Sequence, residues 1–221
     1  MIVSGSYETI SQAWFDSLGK VYHHGDVMDT EYGNQARYVN GFLVEIEHPV
    51  RVWHKLDPWC SEKRIDFYKK QFKRASIGTQ GFEYTYIDRM VNYPGEDGKV
   101  VDQLKWMHDQ LVDHRYESRR IMCITWIPKI DCFKKEDQPC YQGMFVFPRR
   151  NNKLDVHIHY RSWDLFKALE ANLMGFQEVI RDELLEDTDF TLGVMKCMGD
   201  NVHIYSDDWS AVETVLARKV A

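Results

Sequence analysis

Residues 154–160, LDVHIHY, alternate strictly: Leu154, Val156, Ile158 and Tyr160 fall on one face, Asp155, His157 and His159 on the other. A period of two is the signature of a strand with one buried face. Directly after it, residues 163–185 carry Leu165, Leu169, Leu173, Phe176, Ile180 and Leu184 in helical register, the longest such pattern in the chain. A strand followed at once by a long helix commits the chain to a fold that mixes the two.

The flanking sequence extends that mixture. Residues 6–19 read as a helix on Ile10, Trp14, Phe15 and Leu18, and 41–47 (GFLVEIE) as a strand. Ser61–Phe72 reads as a helix with Ser61 at its N-cap and Ile65, Tyr68 and Phe72 on one face. A turn at 94–98 (PGEDG) precedes a helix over Val101–Val112 that buries Leu104, Met107 and Leu111. The apolar run RRIMCITWIP, residues 143–148 and a stretch near 190–197 read as further strands; a Gly-Asp turn and a short C-terminal helix finish the chain. Without regular βαβ alternation the class is α+β, a mixed-sheet α/β, and a chain of 221 residues is expected to form one domain over 1–221.

Composition narrows the function classes. Apolar residues make up 44% and charged residues 28%, the balance of a soluble globular protein. No apolar run reaches the roughly eighteen residues of a membrane span. The N-terminus, MIVSGSYETISQAW, lacks a basic stretch followed by an apolar one, so no signal peptide is expected. A net charge of −6 without a basic stripe argues against duplex nucleic acid. A single phosphate is still accessible, because it needs only a few well-placed arginines. The five cysteines are widely spaced and form no CxxC, so neither a disulfide framework nor a structural zinc is expected. A reducing cytoplasm fits, and there one cysteine can be kept as a nucleophile.

Cys140, in Gln-Pro-Cys-Tyr, lies between a charged loop (KKEDQ) and an apolar strand. That context suits a small buried side chain as well as a nucleophile. Arg119 and Arg120 stand at the entrance to the IMCITWI strand, and Arg161-Ser162 follow the alternating strand. Three arginines and a serine can make an oxyanion cradle, and a fixed positive charge near Cys140 would favour its thiolate. His157 and His159 share a strand face, but no further ligand stands at recognisable spacing and HExxH is absent, so no metal is expected. Gly199-Asp200 before His203-Ile204-Tyr205 reads locally as a hairpin end.

Taken in order, these fragments resemble the thymidylate synthase family. Glu117-Ser118-Arg119-Arg120-Ile121 and the tryptophan-bearing strand after it are similar to the family's arginine-pair motif; Pro139-Cys140 resembles the nucleophile motif and Tyr160-Arg161-Ser162-Trp163-Asp164 the RSxD motif. Asn172, eleven residues after Arg161, falls where the family places its base-reading asparagine, and Gly199-Asp200 with His203-Ile204-Tyr205-Ser206 resembles GDxHxY. The ordered set covers about residues 84–206, and the RSWD wording and chain length resemble the short archaeal-type synthases. The resemblance implies a single-domain synthase fold and a homodimer packed through its β-sheet. It also implies dUMP methylation by 5,10-methylenetetrahydrofolate, with pyrimidine nucleotide 5-hydroxymethylation of dUMP, dCMP or CMP as the alternative.

It further implies residue roles. Cys140 attacks C6 of the pyrimidine. Arg161 lies near both thiolate and phosphate, Ser162 binds phosphate, and Arg119 and Arg120 reach it from the partner subunit. Asn172 reads the base, His203 and Tyr205 hold the sugar hydroxyl, Asp164 is the folate-side aspartate, and Tyr86 assists proton removal at C5. Departures from the family pattern leave gaps. Tyr141 stands where bacterial and eukaryotic members carry histidine. The loop Asp29-Thr30-Glu31-Tyr32-Gly33 lacks the N-terminal phosphate arginine, for which Arg37 is the substitute considered. The glutamate motif is missing, and Glu62, with Asp66 as alternative, is taken as the O4-side acid. Only sixteen residues follow Tyr205, whereas long members continue and close the site.

Overall fold

The alternation at 154–160 lies within a longer strand at the middle of a mixed sheet. The computed structural model describes residues 1–50, 62–78, 84–114 and 118–218. In chain order the elements are β1 (Val3–Tyr7), α1 (Ile10–His24), β2 (Asp26–Asp29), β3 (Gln35–Ile46), α2 (Glu62–Gln71), α3 (Tyr86–Val91), β4 (Tyr93–Pro94) and β5 (Val100–Val101). They continue with α4 (Gln103–His114), β6 (Met122–Ile124), α5 (Pro128–Asp131), β7 (Tyr141–Pro148), β8 (Lys153–Asp164), α6 (Leu169–Val179), β9 (Thr191–Tyr205) and α7 (Trp209–Ala217). The main sheet runs β1-β3-β9-β8-β7-β6, with β2 paired to β3. β8 and β9 are parallel neighbours, while β9 is antiparallel to β3 and β8 to β7. A parallel pair needs a crossover, and α6 with its π-helical continuation Ile180–Leu185 supplies it.

Helix α6 is the hub. Leu169, Leu173, Phe176 and Val179 are buried in the core, and even Glu170 and Asn172 are enclosed. Each such apolar side chain contributes about 1.5–3 kcal/mol of burial. Its polar members need partners, and Glu170 accepts a hydrogen bond from Ser11 Oγ of α1 at 2.9 Å. Gly175 admits Phe72, the residue that follows α2: a Cβ there would come within 2.3 Å of its ring. A buried ion pair, Arg89 with Asp131 at 2.9 Å, ties α3 to α5.

Several boundaries differ from the sequence-based expectations. The first helix is Ile10–His24, because Thr9 caps it by accepting from the Gln12 N–H. β1 is missed by pattern: VSGSY carries little apolar alternation, and the strand is held by parallel pairing to β3. β8 runs on to Asp164, and a turn closed by the Lys167 N–H donating to Asp164 Oδ1 at 2.9 Å delays α6 to Leu169. Gly199-Asp200 is no turn. It lies inside the fifteen-residue β9, where a Cβ on Gly199 would collide with Val202 at 2.3 Å. The Ser61 cap lies outside the described residues. No helix among the described residues is long and apolar enough to cross a membrane.

Candidate active site

The motif residues converge on one cavity of about 550 Å³. β8 contributes Tyr160 to Asp164, β9 contributes His203 and Tyr205, α6 contributes Asn172, and the loop before β7 contributes Cys140. Strand pairing explains the convergence. The parallel register sets Ser162 beside Asn201 and Asp164 beside His203, and Tyr141 lies opposite Tyr160 on the other side of β8. A second cavity of about 710 Å³, near Arg149, Lys153 and Gly193, is larger but holds no nucleophile. Of its two carboxylates, Asp155 is held by Arg149 at 2.7 Å and by the Val194 N–H at 3.1 Å, and Glu47 accepts from Ser6 Oγ at 3.2 Å. Chemistry therefore selects the smaller cavity.

Arg161 organises the loop that carries Cys140. Its Nε donates to the Pro139 carbonyl at 3.0 Å and its Nη2 to the Gln138 carbonyl at 2.8 Å. Its own backbone N–H donates to the Cys140 carbonyl at 2.9 Å. Burial pushes the Cys140 thiol up, the Arg161 charge pulls it back, and Glu31 and Asp137 add to the rise. The net direction is upward, so the resting side chain is a protonated thiol, and only its thiolate would be nucleophilic.

The other ionisable groups are tuned mainly by burial. Asp164 is pushed up to about 6 by burial, with Asp208 adding to the rise and the Lys167 N–H opposing it. His203 is pushed down to about 4, chiefly by burial, so its imidazole is neutral, with Nδ1 3.0 Å from Asn201 Oδ1. Burial drives the Tyr86 hydroxyl well above its ordinary value, with the neighbouring Cys140 and Tyr84 as lesser causes. Tyr86 therefore serves as a neutral hydrogen-bonding hydroxyl, not as a phenolate.

The family model for thymidylate synthase matches residues 13–221. The chain belongs to the thymidylate synthase family. It is 32% identical over 209 residues to a Methanosarcina mazei protein provisionally named a thymidylate synthase, covering 95% of this chain and 92% of that one. A protein of the same provisional name from Methanococcoides burtonii is 31% identical over 210 residues, covering 94% and 92%. The Methanosarcina barkeri relative is 32% identical over 211 residues, covering 95% and 92%.

Within this family member, Cys140, Arg161, Ser162, Asp164, Asn172, His203, Tyr205 and Tyr86 all line the cavity. Five of the residues singled out by sequence do not. Arg119 and Arg120 are exposed and lie outside it. Arg37 pairs with Ile204 across the β3–β9 ladder, whereas Ala36 and Tyr38 pair with the cavity residues Tyr205 and His203. Opposed residues share a sheet face, so Arg37 is turned away. Its guanidinium lies between the rings of Tyr22 and Trp209, 4.9 Å from each, where it braces α1 against α7. Glu62 and Asp66 are exposed on α2 and line no part of the cavity. Exposure deprives a carboxylate of the dehydrated surroundings that proton transfer near neutral pH calls for.

The position after Cys140 is also explained. Tyr141 is fully buried, with its hydroxyl against the sulfurs of Met90 and Cys123 at 3.8 and 3.7 Å. It fills core and does not reach the cavity. The loop lacking the phosphate arginine nevertheless forms cavity wall: Glu31 and Tyr32 line it, Gly33 turns the chain at φ +80°, and Tyr32 meets Tyr205 edge-on at 6.1 Å. Sequence reasoning did not single out Glu31, Tyr32, Tyr84, Lys135 or Trp163 as site residues. The one available signal was the position of Trp163 inside the RSWD wording. His157 and His159 lie away from the cavity. His159 Nε2 is 3.1 Å from Asp200, and His157 packs on Phe147 at 4.5 Å. Among the described residues no group of three or more His, Cys, Asp or Glu is arranged to hold a metal.

Proposed function

We propose that the protein catalyses reductive methylation of dUMP to dTMP, with 5,10-methylenetetrahydrofolate as one-carbon and hydride donor. The observation that carries this reading is a single cavity holding the Cys140 thiol, the Arg161 guanidinium beside it and the Asn172 carboxamide in its wall. Cys140 Sγ adds to C6 of the uracil, which makes C5 a nucleophile for the folate's methylene carbon. Arg161 favours the thiolate and, with Ser162, binds the phosphate. Asn172 donates to O4 and accepts from N3–H, neutral His203 and Tyr205 hold the sugar hydroxyl, and Tyr86 orders the group that takes the C5 proton. Asp164, also in the cavity wall, faces the folate.

The functional unit in this reading is a two-fold dimer. Among the described residues the cavity wall carries two cations, Lys135 and Arg161, against Glu31, Glu136, Asp137 and Asp164. A phosphate dianion needs more positive charge than that, and Arg119 and Arg120 are exposed and available to a second copy. The open face of the sheet supports this arrangement. Leu43, Met198, His159, Gly143 and Ile124 form one row across four strand pairings, with Leu43, Met198 and Ile124 exposed and Phe145 exposed one row away.

Pyrimidine nucleotide hydroxymethylation is the second reading. It starts from the same Cys140 adduct and differs only in that water, not hydride, quenches the intermediate. Purified protein with dUMP, dCMP or CMP and methylenetetrahydrofolate separates the two. A rise in dihydrofolate absorbance with dUMP supports methylation; a hydroxymethyl product with no such rise rejects it.

A further inference from the structure

Asparagine is an ambiguous base reader. Half a turn of its carboxamide exchanges donor and acceptor with almost no change of shape. A free asparagine therefore serves uracil, which accepts at O4 and donates at N3, as well as cytosine, which donates at N4 and accepts at N3. Asn172 is not free. Its Oδ1 accepts a hydrogen bond from the Trp163 indole Nε1–H at 3.0 Å. An indole nitrogen can only donate, so the flipped carboxamide would set donor against donor. The spot is dry, with Asn172 5% and Trp163 1% exposed, and a buried mismatch of that kind is costly. Trp163 cannot easily turn aside. Tyr160 stacks on it with 4.1 Å between centroids and 7° between planes, and Phe42 meets it edge-on at 6.4 Å. The indole occupies one lone pair of Oδ1, leaving the second beside Nδ2 as a donor–acceptor edge of fixed polarity.

We infer that Trp163 is a specificity-determining positioning residue, whose indole N–H locks the Asn172 carboxamide in the one polarity that reads uracil and refuses cytosine. The inference rests on the reading of Asn172 as the base-recognising residue. It assigns the discrimination to the pair and not to asparagine alone.

Trp163→Phe keeps an aromatic ring against Tyr160 and removes the N–H. The test compares kcat/KM for C5 hydrogen exchange on dUMP and dCMP in the wild type, Trp163→Phe and Asn172→Asp. Releasing the lock narrows the uracil-to-cytosine ratio in Trp163→Phe on the order of tenfold. A purely structural role lowers both nucleotides by one factor and leaves the ratio unchanged, which overturns the inference. Asn172→Asp checks the premise separately. If its ratio does not move, Asn172 does not read the base and the inference falls with that reading. If its ratio moves while that of Trp163→Phe does not, the lock alone is rejected. Should Trp163→Phe fail to fold, 15N NMR of the wild-type chain decides. The Trp163 indole proton is expected to be protected from exchange and to shift when Asn172 is replaced by Leu; a freely exchanging or unshifted proton overturns the lock.

Discussion

Replacing Arg161 by Gln removes the charge that opposes the burial-driven rise of the Cys140 thiol. It also removes the two hydrogen bonds to the carbonyls of Pro139 and Gln138. An opposite charge within a few ångströms shifts a pKa by about 1–3 units, so the thiol of the variant moves up by about one unit or more. At a pH below both values, each unit lowers the thiolate fraction roughly tenfold. The more basic thiolate is intrinsically about threefold more nucleophilic per unit, so labelling by a disulfide reagent at fixed pH falls only about threefold. A loosened loop would admit reagent faster and could mask even that. The midpoint of the pH–rate curve is independent of access, because access changes the plateau and not the pKa. The assay is therefore the labelling rate of Cys140 against pH. Peptide mass spectrometry keeps Cys140 apart from the exposed Cys132. A midpoint raised by about one unit is expected; one that is unchanged or lower refutes the role given to Arg161. The lost loop contacts cost about 1–2 kcal/mol, since carbonyls in a half-exposed loop can turn to water.

Three further outcomes follow from the geometry. Arg89→Ala leaves Asp131, which is fully buried, with an unpaired charge, and should cost about 3–5 kcal/mol in urea unfolding; a loss below about 1 kcal/mol contradicts the pair's assigned role. Asp164 binds a proton more tightly folded than unfolded, so its contribution to stability is present below the unfolded value and is lost as pH rises through about 6. Asp164→Asn should therefore unfold at higher urea than the wild type at pH 7.5, by about 1–2 kcal/mol after discounting for partial exposure, with the gain vanishing near pH 4. Mixing inactive Cys140→Ala chains with inactive Arg119→Ala/Arg120→Ala chains should restore roughly a quarter of wild-type activity, because half the dimers then carry one complete site. No recovery on mixing would place the arginine pair outside the shared site.

Most of this site was legible because its residues sit in compact, ordered motifs. The alternating strand gave β8, and the residues that follow it, Arg161, Ser162 and Asp164, reach the cavity because the strand runs further than its pattern did. Asn172 was placed by its distance from Arg161. Position along the chain suggests Arg37 for the phosphate, but such proximity carries no information on sheet face. Only its pairing with Ile204 does that. Glu62 is suggested by its position on a helix whose orientation depends on packing against α6, and the structure leaves it in solvent. Trp163 escaped notice because its importance lies in one hydrogen bond to a side chain on another element. β1 and the interior position of Gly199-Asp200 were hidden for a related reason: backbone pairing across the sheet, and not local composition, fixes both.

The central claim is that Cys140 attacks the pyrimidine ring, and exchange of the C5 hydrogen reports that attack independently of how the intermediate is later quenched. Wild-type protein incubated with C5-labelled dUMP should release the label to solvent, while Cys140→Ala, folded to the same melting temperature, should release none above background. Exchange that persists undiminished in Cys140→Ala would contradict the assignment.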